Sequence, residues 1–153
     1  MENGNYTQEL NRFLVDVFNG ILKTEEMYVA RSCPDLSLRE VHAIEAVCRA
    51  VSRGEDNRAS AIAAALRVTA GTLTASVNQL EAKGYLERVR DGGDKRSVRL
   101  CPTEKGWETD RCHAEFHREL VGAVAERLEP QEAEALVRGL GGIADFFQKK
   151  YPS

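Results

Sequence analysis

The sequence predicts a mainly α chain carrying one small antiparallel β hairpin, and three observations predict it. Long stretches at both ends repeat apolar residues at i, i+3 and i+4. Capping residues and glycines divide the middle into short helices. One segment, RVRDGGDKRSVRL at 88–100, alternates with the two-residue period of a strand on either side of a Gly-Gly tip. With 153 residues, 42% hydrophobic and 29% charged, the chain can bury a core of its own and is treated as one unit, 1–153.

Leu10, Phe13, Leu14, Val17, Phe18, Ile21 and Leu22 form the stripe of a long first helix, which CPD at 33–35 ends. SLRE at 37–40 is a capping box, because Ser37 can accept from the backbone of Glu40 while the Glu40 carboxylate returns the bond. The second helix runs to about Val51, and SRGEDN is a turn. RASAIAAAL gives a short third helix burying Ile62, Ala63 and Leu66. Thr69 caps a fourth helix that runs through Lys83 and stops at Gly84. Strands are expected near 86–90 and 97–101. Pro102 and Thr103 open a fifth helix with Trp107, Phe116, Leu120, Val124 and Leu128 on its apolar face. Pro130 suits the first turn of a sixth, striped by Ala133, Leu136, Val137, Leu140, Ala144 and Phe147.

Composition excludes several classes of function. No basic and then apolar leader opens the sequence and no apolar run reaches membrane-spanning length, so a cytoplasmic location without membrane contact is expected. Cys33, Cys48, Cys101 and Cys112 form no CxxC pair, which argues against a disulfide framework or a zinc ribbon. An enzyme is not expected. Cys112 and His113 are adjacent and point apart on a helix, and no Gly-rich phosphate loop or convincing carboxylate pair is present. The net charge of −3 conceals an uneven distribution, since residues 53–105 carry a local +3 and the remainder −6.

That basic middle has the spacing of a helix-turn-helix followed by a wing, with 53–105 as the lobe. Leu73, Val77 and Leu80 mark the buried side of the fourth helix. Thr69, Gly71, Thr72, Thr74, Ala75, Asn78 and Gln79 are its candidate DNA contacts: amides and hydroxyls can meet base edges, and the helix N-terminus offers N–H groups to phosphate. In the hairpin, Arg96 is the candidate minor-groove probe, held in place by Asp94, while Arg88, Arg90, Lys95 and Arg99 suit phosphates.

The stretch RVTAGTLTASVNQLEAKGYLERVRDGGDKRSVRLCPTEKG resembles the MarR family of winged-helix transcriptional regulators. It carries the family's Lys-Gly-aromatic-Leu passage, the Asp-x-Arg of the wing and TEKG at the start of the fifth helix. The resemblance implies a sequence-specific repressor that binds a palindromic operator in double-stranded DNA as a homodimer, with 1–35 and 106–153 as the dimerisation region. VTAGTLTASVNQLEAKGYLERVR, VFNGILKTEE, REVHAIEAV and CHAEFHREL are also similar to the branch that represses fatty-acid biosynthesis genes. For that branch the resemblance implies no required cofactor and long-chain acyl-acyl carrier protein as corepressor. Phe13, Val17, Ile44 and Phe116 are candidates to line an acyl pocket, and a plain dimer core fits their spacing equally well. The alternative is a zinc-responsive repressor. His113 and His117 share a helix face, and with His42 and Glu25 or Glu26 they supply imidazole and carboxylate donors suited to zinc.

Overall fold

The structure is a computed structural model that describes residues 3–90 and 98–151, with side chains from residue 6 onward. Six helices and two strands occur among the described residues: α1 (Asn3–Ser32), α2 (Leu38–Arg53), α3 (Ala59–Leu66), α4 (Ala70–Ala82), β1 (Leu86–Arg90), β2 (Val98–Pro102), α5 (Glu104–Ala125) and α6 (Pro130–Lys150). The mainly α fold with a two-stranded wing is the one the sequence predicts.

Local chemistry sets the boundaries. The capping box forms, with Ser37 N–H donating to Glu40 Oε2 at 2.8 Å and Glu40 N–H to Ser37 Oγ at 3.3 Å. α2 closes on Gly54 at φ 65°, and Gly84 at φ 80° follows the end of α4, two places where the chain turns through left-handed backbone. Arg67 takes the same conformation at φ 54° without being glycine, closing α3 so that α4 departs at 110° to it. That angle is the one a helix-turn-helix requires.

The wing strands pair antiparallel from Leu86↔Pro102 to Arg90↔Val98. Pro102 therefore ends β2 rather than opening α5, and Thr103 caps α5 instead. A proline costs little at the end of an edge strand, where no ladder bond needs its N–H. The turn after α2 adds a further rung. Arg58 bridges to Arg99, Leu100 N–H donates to the Asn57 carbonyl at 2.9 Å, and Asn57 Nδ2 donates to the Leu100 carbonyl at 2.9 Å.

The core gathers around α2. Val41, Ile44, Val47 and Cys48 meet Ile62 from α3, Leu73, Val77 and Leu80 from α4, and Tyr85, Leu86 and Leu100 from the wing; Leu66 only half-buries. α5 differs from the sequence expectation. Its buried face is Gly106, Thr109, His113 and Phe116, whereas Val124 is exposed and Leu128 lies beyond the helix. The two polar members bury because both are satisfied: Thr109 Oγ1 donates to the Lys105 carbonyl at 3.0 Å, and His113 meets Glu25.

Two regions stay outside this core. Leu10, Phe13, Leu14, Val17 and Phe18 on α1 are exposed, and α6 has no buried residue although Leu136, Val137, Leu140, Phe146 and Phe147 share its length. No single helix among the described residues is long and apolar enough to cross a membrane.

Conserving the angle between core and wing falls to a polar latch at the α1–α2 corner. Lys83 Nζ donates to the Asp35 carbonyl at 2.6 Å and to Glu40 Oε1 at 2.7 Å. Tyr85 Oη donates to the Asp35 carboxylate at 2.9 Å, and the Lys105 ammonium stands 4.0 Å above the Tyr85 ring. Lys-Gly-Tyr and Thr-Glu-Lys-Gly are thus the pieces that tie α4, β1 and α5 to one corner.

Candidate functional site

α4 presents Gly71, Thr74, Ala75 and Asn78 to solvent, one helical stripe opposite the buried Leu73, Val77 and Leu80. Thr74 Oγ1 donates to the Ala70 carbonyl at 2.8 Å, so its hydroxyl proton is used inside the helix and its methyl and lone pairs face out. Thr69 and Thr72 join differently. The Thr69 hydroxyl caps α4 by accepting from Thr72 N–H at 3.1 Å, and the two hydroxyls share a bond of 2.8 Å. Thr72 and Gln79 line the groove that separates α4 from the start of α2, beside Leu38 and Arg39.

Arg88, expected to face phosphate, is half-buried and paired within the chain. Its backbone N–H donates to Glu81 Oε1 at 3.0 Å, its Nη1 pairs with Glu81 Oε2, and its Nη2 donates to Asn78 Oδ1 at 2.7 Å. A strand position opposite the end of α4 brings these groups together, which a one-dimensional charge pattern does not show. Arg90 ends β1 exposed, as a phosphate contact needs. Asp94, Lys95 and Arg96 lie outside the described residues. At the base of the wing, the Arg58 guanidinium is gripped by both Asp56 carboxylate oxygens, and Arg99 Nη1 donates to Asn57 Oδ1 at 3.0 Å.

A second constellation joins α1, α2 and α5. Glu25 is 4% exposed, and its Oε1 meets His113 Nε2 at 2.7 Å, His42 Nε2 at 3.1 Å and His117 Nε2 at 3.2 Å. Behind it, Glu45 Oε2 stands 3.5 Å from His113 Nδ1, a partner the sequence reading missed. Burial pushes the Glu25 carboxyl upward, yet the bonds from His42 and His113 outweigh it and hold the group below its usual range. Burial also opposes charge on His113, and Glu45 and Glu25 overcome that to raise its pKa. The contact to His113 holds Glu45 at about 2. Ligand atoms at about 2.0–2.1 Å around a tetrahedral zinc stand roughly 3.3 Å apart. Glu25, His113 and His117 offer donors within 4.8 Å of one another, and His42 reaches the same carboxylate oxygen from α2. Residue types and spacing therefore fit a zinc shell, with Glu45 able to orient His113 from behind. Glu26 does not share this arrangement; it is exposed and lines the groove beside α4.

The four acyl-pocket candidates do not converge within the chain. Ile44 is fully buried in the core cluster. Phe116 is buried against Tyr28, with ring centroids 5.0 Å apart. Phe13 and Val17 lie exposed on α1. Apolar spacing on α2 identified a buried face without revealing which of two apolar surroundings it meets.

A helix pair crossed at 110°, an open second helix and an antiparallel wing define a winged-helix DNA-binding protein. The model of the MarR family matches residues 35–97. Across 94% of this chain and 98% of the other, the protein is 34% identical to Streptococcus pneumoniae FabT, solved in complex with DNA, with a TM-score of 0.85. BldR of Sulfolobus solfataricus is 26% identical over 95% of this chain and 99% of its own, with a TM-score of 0.69. An uncharacterized HTH-type transcriptional regulator of Bacillus subtilis, YwhA, is 28% identical over 71 residues, 46% of this chain and about half (51%) of that protein's length. The chain belongs to the MarR family of DNA-binding transcriptional regulators, and its fold relatives are regulators rather than enzymes.

Proposed function

We propose that this regulator is a repressor of fatty-acid biosynthesis genes, acting in the cytoplasm as a homodimer on a palindromic operator, with long-chain acyl-acyl carrier protein as corepressor. The observation that carries this reading is the whole-chain likeness to FabT of S. pneumoniae, at 34% identity. The exposed stripes of α1 and α6 support a second copy as their partner, since a monomer would leave them in water. In that dimer Phe13 and Val17 would line any acyl path along α1, and Ile44 would take no part.

A second reading is favoured by one specific observation, the convergence of three imidazoles on Glu25. Zinc, when bound, would supply a fixed tetrahedral tie between α1, α2 and α5. Glu25, His113 and His117 would hold it, with His42 as a further donor. A ligand changes DNA affinity only by binding one dimer geometry better than another, and such coupling is typically about 1–3 kcal/mol. The two readings separate in one titration of operator binding. Acyl-acyl carrier protein should tighten binding about five- to 150-fold while zinc and chelator leave it unchanged. Tightening by zinc that EDTA reverses, with no response to the acyl carrier, refutes the lipid reading and makes the histidines the sensor.

A further inference from the structure

Arg88 and Asn78 meet where β1 folds back over the end of α4. A guanidinium has only donors, so the Asn78 amide atom that meets Arg88 Nη2 at 2.7 Å must be the oxygen. The usual ambiguity between amide oxygen and nitrogen is absent here. Arg88 in turn cannot swing easily, because Glu81 holds it twice, through the backbone N–H and through Nη1. A planar amide whose oxygen is turned to Arg88 presents its N–H₂ away from that bond, and Asn78 Nδ2 donates to no group among the described residues. Asn78 lies on the exposed stripe of α4 with Thr74 and Ala75.

We infer that Arg88 is a positioning residue that holds the Asn78 amide by its oxygen and so biases it toward donating in the major groove. The inference rests on the reading of α4 as the helix that enters that groove. An unlocked asparagine pairs with adenine, donating to N7 and accepting from N6. The held one keeps one lone pair, but its oxygen is anchored to Arg88 and already shares its acceptor capacity, so it meets N6 poorly. It favours guanine, whose N7 and O6 both accept, tolerates thymine through O4 and rejects cytosine, which offers only a donor. Arg88 thus contributes to specificity without touching DNA.

The test selects preferred sites from a randomised double-stranded DNA library with the full-length protein, then measures binding to sites varied one base pair at a time. Asn78→Ala identifies the base pair concerned, as the one whose preference disappears. At that position the wild type should favour guanine over adenine by about tenfold, within the range of one base contact. Arg88→Ala should bring adenine to parity or better and leave the salt dependence of binding unchanged. In an Asn78→Ala background, Arg88→Ala should have no further effect at that base pair. If Arg88→Ala fails to fold, Arg88→Lys serves instead, because an ammonium lacks the second arm that spans Glu81 and Asn78; the same shift toward adenine is expected. An unchanged base preference with a salt slope reduced by about one would make Arg88 a phosphate contact and overturn the inference. A wild type that selects no sequence at all would remove the DNA-reading function, and this assignment with it.

Discussion

Gly106→Ala places one methyl group where the structure leaves no room. A Cβ built there comes within 2.4 Å of the Tyr85 carbonyl oxygen and 3.2 Å of Pro102 Cβ. The obstructing atom is backbone, so the carbonyl must retreat by about 0.6 Å to reach even 3.0 Å, the shortest separation real Cβ atoms show. That carbonyl also accepts from the Thr103 N–H and hydroxyl, both at 3.1 Å, so its retreat strains the cap of α5. Overpacking of this kind costs up to about 3 kcal/mol. Exchanging glycine for alanine inside a helix returns about 1 kcal/mol. The net expectation is a loss of about 2 kcal/mol, or roughly 4–8 °C in Tm for a chain of this size. Urea and thermal unfolding at fixed protein concentration measure it. A variant that gains about 1 kcal/mol, the propensity term alone, would show that α5 does not approach β1 this closely.

Three further outcomes are expected. Tyr85→Phe removes the hydroxyl that donates to Asp35 and should destabilise by about 1.5–3 kcal/mol, read by denaturant midpoint. Burial raises the Glu40 carboxyl, but Lys83 and Ser37 outweigh it and hold its pKa below 4.5, so its contribution is fully present above pH 4.5 and lost as pH falls through the folded value. Unfolding free energies from pH 6 to 3 should therefore fall less steeply in Glu40→Gln than in wild type, and parallel curves would refute the assignment. Gly139→Ala and Gly141→Ala meet nothing within 4 Å in a lone chain, so each should add about 0.5–1 kcal/mol to a monomer. A loss instead, accompanied by weaker self-association in sedimentation, would place a second copy's helix against them.

Helix existence was legible because each start and stop carries its own chemistry: Ser37 with Glu40, Thr69, Gly84 and Pro130 each act within a few residues. The wing was legible for the same reason, since Gly92 and Gly93 separate two alternating segments. What sequence order hides is the partner across the fold. His113 was visible as one of a helical pair, but Glu45 behind it lies 68 positions away in the sequence. Arg88 belonged to a basic run, and only folding β1 back over the end of α4 sets it against Glu81 and Asn78. Ile44 was ambiguous in the opposite sense. Its apolar spacing was correct, and the period of a helix says nothing about which neighbour it meets.

The rung that Asn57 and Arg58 add beside β2 makes a plate of the wing and the entrance to α3. A hairpin attached only by its own two strands could pivot, and could then follow a groove wherever the DNA carried it. This one is stitched to the helix pair on its far side, so the distance from the face of α4 to the base of the wing strands is set before any DNA arrives. The protein behaves as a caliper with a locked jaw. Operators should then share a rigid offset between the bases read by the helix and those met by the wing, and one inserted base pair would cost a whole set of contacts.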